Sequence, residues 1–140
     1  MSTTSEDNKA AVRACFEAAS EGNFDAFESI LSPDYLLHPE GIRGAGGLAE
    51  VVSVYRGAIS DLQVDVEHQF TDGDYVATRV TVRGTHDGEL MGTPPTGREV
   101  AFSMLTISRC ENGRIAEEWE LADTMSLLQQ VGAVPAPVAG

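Results

Sequence analysis

The chain has 140 residues, 42% of them hydrophobic and 22% charged, an ordinary balance for one compact domain. Nine Lys and Arg against 22 Asp and Glu leave a formal charge of −13. That charge repels phosphate backbones and anionic headgroups, which argues against nucleic acid and membrane surfaces as partners. No apolar run reaches the roughly 18 to 20 residues that a membrane span requires. Met1 to Asn8 has neither the basic nor the apolar region of a signal peptide, so a cytoplasmic location is expected. Cys15 and Cys110 have no paired spacing and read as free thiols.

Residues 1–7 are expected to form a disordered lead, 8–134 one folded domain and 135–140 a flexible tail of small residues. Ala11, Val12, Cys15, Phe16 and Ala19 recur at steps of three and four, predicting a helix to Glu21 with Asp7 as N-cap and Gly22 as its stop. A second helix is predicted from Phe24 to Leu31, broken by Ser32-Pro33-Asp34. Tyr35 to His38 reads as a short strand, and Gly41, Gly44, Gly46 and Gly47 as a loop. Val51, Val52, Tyr55 and Ile59 place a third helix at Leu48 to Ile59.

Beyond Asp61 the apolar period changes from 3.6 to 2. Leu62, Val64, Val66, His68 and Phe70 alternate with polar residues, and Asp72-Gly73-Asp74 signals a hairpin. Val76, Thr78, Val80 and Val82 mark the next strand. A Gly- and Pro-rich loop, His86 to Gly97, leads to a strand at Glu99 to Arg109. Asn112-Gly113 turns the chain into a last strand to Asp123, and Thr124 to Val131 forms a closing helix. Helices first and an antiparallel meander afterwards give an α+β fold. The economical packing curls the sheet around three helices into a cone with one open end. The other sheet face, with Arg79, Arg83 and Arg109 beside Leu105 and Ile107, is mixed and suits a homodimer or homotetramer contact.

The stretches Gly84-Thr85-His86-Asp87-Gly88 and Gly92-Thr93-Pro94-Pro95-Thr96-Gly97-Arg98 resemble the middle of the SnoaL-like polyketide cyclases. Asn112-Gly113-Arg114-Ile115, Glu117-Glu118-Trp119, Asp123 and Leu127-Leu128-Gln129-Gln130-Val131-Gly132 continue the resemblance, as does His38-Pro39 before the glycines. It covers roughly residues 8–134 and implies the NTF2-like cone. It also implies ring closure by intramolecular aldol condensation without metal or organic cofactor. An aspartate at the end of the last strand is then the general acid and base, a position that matches Asp123. The family's aldol cyclases place a histidine on the neighbouring strand, and Phe102 to Ser108 has none. The resemblance therefore requires His86, His38 or His68 to substitute, or a different reaction.

Trp119, Leu121 and Asp123 share one face of the last strand. If that face lines the cone, burial raises the carboxyl pKa towards what a base for a carbon acid needs. Asp123 is equally placed to cap the closing helix, and the residues alone leave both roles open. His68 follows the apolar alternation and is expected to point inward. His86 is either a loop anchor or a polar group of the pocket, and His38 is expected at the cone mouth. No two histidines have metal-ligand spacing, so no metal is expected. Tyr35, Tyr55, Leu90, Met91, Phe102, Met104, Trp119 and Met125 offer an adaptable apolar lining for a flat or polycyclic metabolite. The expected function is a cofactor-independent cyclase acting on a carbonyl-bearing apolar metabolite. An isomerase or hydrolase on the same scaffold, or a non-catalytic small-molecule binder, are the alternatives.

Overall fold

The computed structural model describes residues 4–135. Helix α1 spans Ser5–Glu21, so Ser5, Glu6 and Asp7 belong to its first turn rather than to a disordered lead. Thr4 is the cap: its hydroxyl accepts from the Asp7 N–H at 3.0 Å, and the Asp7 carboxylate accepts from the Thr4 N–H at 3.1 Å. This reciprocal pair satisfies two backbone donors at the helix start, which a lone Asp7 cap could not. Residues 1–3 of the expected lead and 136–140 of the expected tail lie outside the described residues.

A 3-10 turn at Phe24–Ala26 and a single turn of helix α2, Phe27–Ile30, replace the longer predicted helix. Strand β1 begins already at Leu31 and runs to His38. It tolerates Pro33 because its register with its neighbour slips between Leu31 and Leu36. The expected glycine loop supplies the two-residue strand β2, Ile42–Arg43, and the first turn of helix α3, Gly44–Ala58. Strands β3 (Gln63–Asp72), β4 (Tyr75–Thr85), β5 (Glu99–Glu111) and β6 (Arg114–Ala122) follow, and α4 (Thr124–Gln130) closes the fold.

One six-stranded sheet has the order β2-β1-β6-β5-β4-β3. Only β1 and β6 pair in parallel; the other neighbours are antiparallel. The helices lie in its concave side, as the α+β cone requires. Val12, Phe27, Leu31, Tyr35, Leu37, Val76 and Ile115 form one buried cluster beneath α1 and β1. Ala58, Ile59, Val80, Val82, Leu90, Phe102 and Leu127 form a second around the end of α3, β4, β5 and α4. Among the described residues no helix is long and apolar enough to cross a membrane. Cys15 and Cys110 are buried and unpaired with each other.

Candidate active site

Asn112-Gly113 forms the predicted tight turn, pairing Glu111 with Arg114 and Cys110 with Ile115. The next pair is Arg109 with Glu117, so Ala116 has no partner on β5. This bulge adds one residue to β6, and a one-residue slip exchanges the two faces of a strand. Ile115 and Ala116 are consequently both buried. Beyond them, Glu118 faces inward with Ser108, Glu120 with Thr106 and Ala122 with Met104. Trp119 and Leu121, expected inside, are 38% and 73% exposed on the outer face.

The concave side of the sheet and the helices enclose a cavity that opens at one side. Phe16 and Ala19 from α1, Val52 and Tyr55 from α3, and Val82, Phe102 and Met104 from the sheet supply an apolar wall. Glu118, Glu120 and Thr106 are its sheet-borne polar residues. Glu118 is buried, and both its oxygens are occupied: Tyr35 donates its phenol at 2.6 Å and Ser108 its hydroxyl at 2.5 Å. Burial raises the Glu118 pKa, while these two donors pull the other way. Burial pushes Glu120 up to about 7, and the charges of Glu118 and Glu40 add to the shift. A carboxyl poised near neutrality can both take and return a proton. Burial also raises the Cys15 thiol well above its usual range, which leaves it a poor nucleophile.

The residues expected to form the site are divided by this geometry. Tyr55, Phe102 and Met104 line the cavity, and Tyr35 lies beneath it as the donor to Glu118. Asp123 is exposed, and its side chain accepts from the Ser126 N–H at 3.1 Å as the cap of α4. The bulge is the reason: it turns the face of Asp123 away from the cavity. His68 is also turned outward, because β3 slips by one residue between Val66 and His68 and leaves Glu67 unpaired. Arg79 donates to its Nδ1, and its ring stacks on exposed Phe70.

His38 is not at the cavity mouth. Its Nε2 hydrogen bonds to Glu117 at 2.7 Å on the outer side, and its ring stacks on Trp119. That hydrogen bond, with Arg109 behind it, holds Glu117 below the usual carboxylate range. His86 is fully buried in the loop before β5, where its Nδ1 meets Thr96 and its backbone pairs with Gly97 and Arg98. Leu90 is part of the second core cluster, whereas Met91 and Met125 are 58% and 59% exposed. Glu120 and Thr106 went unseen in the sequence. The signal for them is the apolar doublet Ile115-Ala116, which breaks the alternation where the bulge lies. Among the described residues no three His, Cys, Asp or Glu side chains gather as a metal-binding group.

The model of the SnoaL-like polyketide cyclase family matches residues 9–131. The chain is 27% identical over 127 residues to the aklanonic acid methyl ester cyclase DnrD of Streptomyces peucetius, covering 86% of this chain and 88% of that one. It is 28% identical over 124 residues to the nogalonic acid methyl ester cyclase of Streptomyces nogalater, covering 82% and 90%. The solved structure of IdmH from Streptomyces antibioticus superposes with a TM-score of 0.79 at 32% identity, covering 89% of this chain and 98% of that one. An inward-facing carboxylate in an apolar cone and a family match across nearly all of the described domain agree: the chain belongs to the SnoaL-like polyketide cyclases.

Proposed function

We propose that this protein closes a ring in a carbonyl-bearing polyketide by intramolecular aldol addition, without metal or organic cofactor, and that Glu120 is its acid and base. The observation that carries this reading is Glu120 itself, a carboxyl held near neutrality in a largely apolar cavity, beside a second carboxyl whose oxygens are both occupied. The Glu120 carboxylate takes a proton from a carbon beside a substrate ketone, and the C–H electron pair passes to the ketone oxygen as an enolate. The enolate carbon then attacks a second carbonyl of the same molecule, forming the new C–C bond. The resulting alkoxide recovers the proton from Glu120. Nothing is oxidised or reduced, and the product is an isomer of the substrate, so one titrating carboxyl suffices.

Asp123 takes no part in this scheme, since its exposed carboxylate caps α4. The names of DnrD and the nogalonic relative support a methyl ester of a polyketide acid as the substrate class. We further propose that two copies associate through the outer sheet face. There Trp119 pairs with Ile107, Leu121 with Leu105, and Phe70 lies two strands from Ile107 through Ala77, a contiguous apolar surface.

The test is incubation with aklanonic and nogalonic acid methyl esters in chelator, with no cofactor added. At least one ester should give a product of unchanged mass and altered retention. Glu120→Gln should lower the rate by about 10² to 10⁴-fold. Turnover that stops in chelator, or a Glu120→Gln variant of full activity, overturns the reading.

A further inference from the structure

Thr106 is 4% exposed, lines the cavity, and its hydroxyl has no hydrogen-bond partner in the protein. Its polar neighbours on the same inward face differ. Ser108 donates to Glu118, and the Thr78 hydroxyl accepts from Gln69 at 3.4 Å. An unpaired buried hydroxyl is destabilising, and a β-branched apolar residue would serve the strand as well without that cost. The hydroxyl is therefore not explained by folding. The other orphaned polar atom among those described is His86 Nε2, which sits in the loop core away from the cavity wall.

Thr106 is also the direct cross-strand partner of Glu120. Opposed residues place their Cβ atoms about 4.5 to 5.5 Å apart. Side chains leaning from those positions into one cavity reach two atoms of a single ligand that share a bonded neighbour. We propose that Thr106 is the hydrogen-bond donor to the reacting carbonyl oxygen, so that the pocket selects a ketone whose oxygen is one carbon removed from the carbon that Glu120 deprotonates. This inference rests on the reading of Glu120 as the base. When Glu120 takes the α-proton, negative charge gathers on the ketone oxygen, and the Thr106 O–H donates to it while keeping its own proton. A neutral donor in an apolar cavity supports such an oxygen in the way an oxyanion hole does. Phe102 and Met104 hold the carbon skeleton beside it.

The probes are 2-naphthol and naphthalene for binding, and 2-tetralone for chemistry. In 2-tetralone the C1 hydrogens exchange with deuterated water as an enolate forms, and 2-naphthol has the shape of its enol. The parent chain should bind 2-naphthol at least fivefold more tightly than naphthalene. Thr106→Val should erase that preference and leave naphthalene affinity unchanged, and it should slow C1 exchange by about 10² to 10³-fold. Thr106→Ser should restore both. Should the Val variant fail to fold, Thr106→Ala removes the same hydroxyl. A parent chain with no preference, or without measurable binding of either probe, overturns the inference, as does a preference that survives Thr106→Val. Glu120→Gln separates the two claims. If it stops exchange and keeps the naphthol preference, base and donor both stand. If it exchanges normally while Thr106→Val loses the preference, the base is elsewhere and the donor remains.

Discussion

Glu118 and Glu120 stand two residues apart on β6, about 7 Å along the strand, and turn their carboxyls into the same cavity. Glu118 is held by Tyr35 and Ser108, which leaves Glu120 as the one of the two open to a ligand. Besides burial, the charges facing Glu120 are Glu118 on its own strand and Glu40 from the turn before β2, while Tyr55 of α3 and Cys15 of α1 stay protonated around it. Glu118→Gln keeps a partner for Tyr35 and Ser108 but removes one of those negative charges. The pKa of Glu120 should fall from about 7, and the acid limb of the pH–rate profile should move to lower pH with it. A limb that stays in place would mean that Glu118 does not tune Glu120.

The order of elements was legible because apolar period and turn chemistry are local properties. The change of period after Asp61, the Asn112-Gly113 turn and the Gly22 stop all lie where the sequence puts them. The facing of two half-strands was not legible, and the cause is the same in both. Glu67 on β3 and Ala116 on β6 are extra residues, and parity carried past them points Phe70, His68, Trp119, Leu121 and Asp123 to the wrong side. Hydrophobicity offered no rescue, since Trp119 and Leu121 look like core residues and in fact cover the outer face. Where no bulge intervened, on β4 and β5, the expected inward residues Val80, Val82, Phe102 and Met104 are on the cavity or core side.

Asp123 offers a sharp contrast between a cap and a base. Asp123→Asn retains the acceptor for the Ser126 N–H, so stability should change by less than about 1 kcal/mol. Its cyclisation rate should stay within about twofold of the parent, because an exposed side chain outside the cavity moves no substrate proton. Asp123→Ala should cost about 1 kcal/mol by thermal or urea unfolding, again with the rate preserved. A hundredfold rate loss in the Asn variant at unchanged stability would return the catalytic role to Asp123.

The outer face should answer to charge. Leu105 and Leu121 are cross-strand partners, 51% and 73% exposed, at the centre of the apolar surface. A lysine at either position would have to be desolvated in a face-to-face dimer, whereas in a monomer it would remain in water. Leu105→Lys should shift sedimentation from dimer or tetramer towards monomer at micromolar concentration, with the far-ultraviolet circular dichroism unchanged. A parent chain that sediments as a monomer removes the interface, and a Leu105→Lys variant of unaltered mass places it on another surface.

Glu120 should also be a visible burden on stability, with a definite sign. Its folded pKa of about 7 lies above the ordinary value of 4.5, so the folded state holds this proton more tightly than the unfolded chain does. The contribution is fully present below pH 4.5 and is lost as pH rises through about 7, where the buried carboxylate must ionise. Glu120→Gln stays neutral throughout. The difference in unfolding free energy between the variant and the parent should therefore widen from pH 4.5 to pH 8 by about 3 kcal/mol at most. Urea unfolding of both chains at a series of pH values reads this difference directly. A gap that does not change between pH 4.5 and 8 would mean that Glu120 ionises in the fold as it does in water, and a carboxylate of that kind has no advantage as a base over any on the surface.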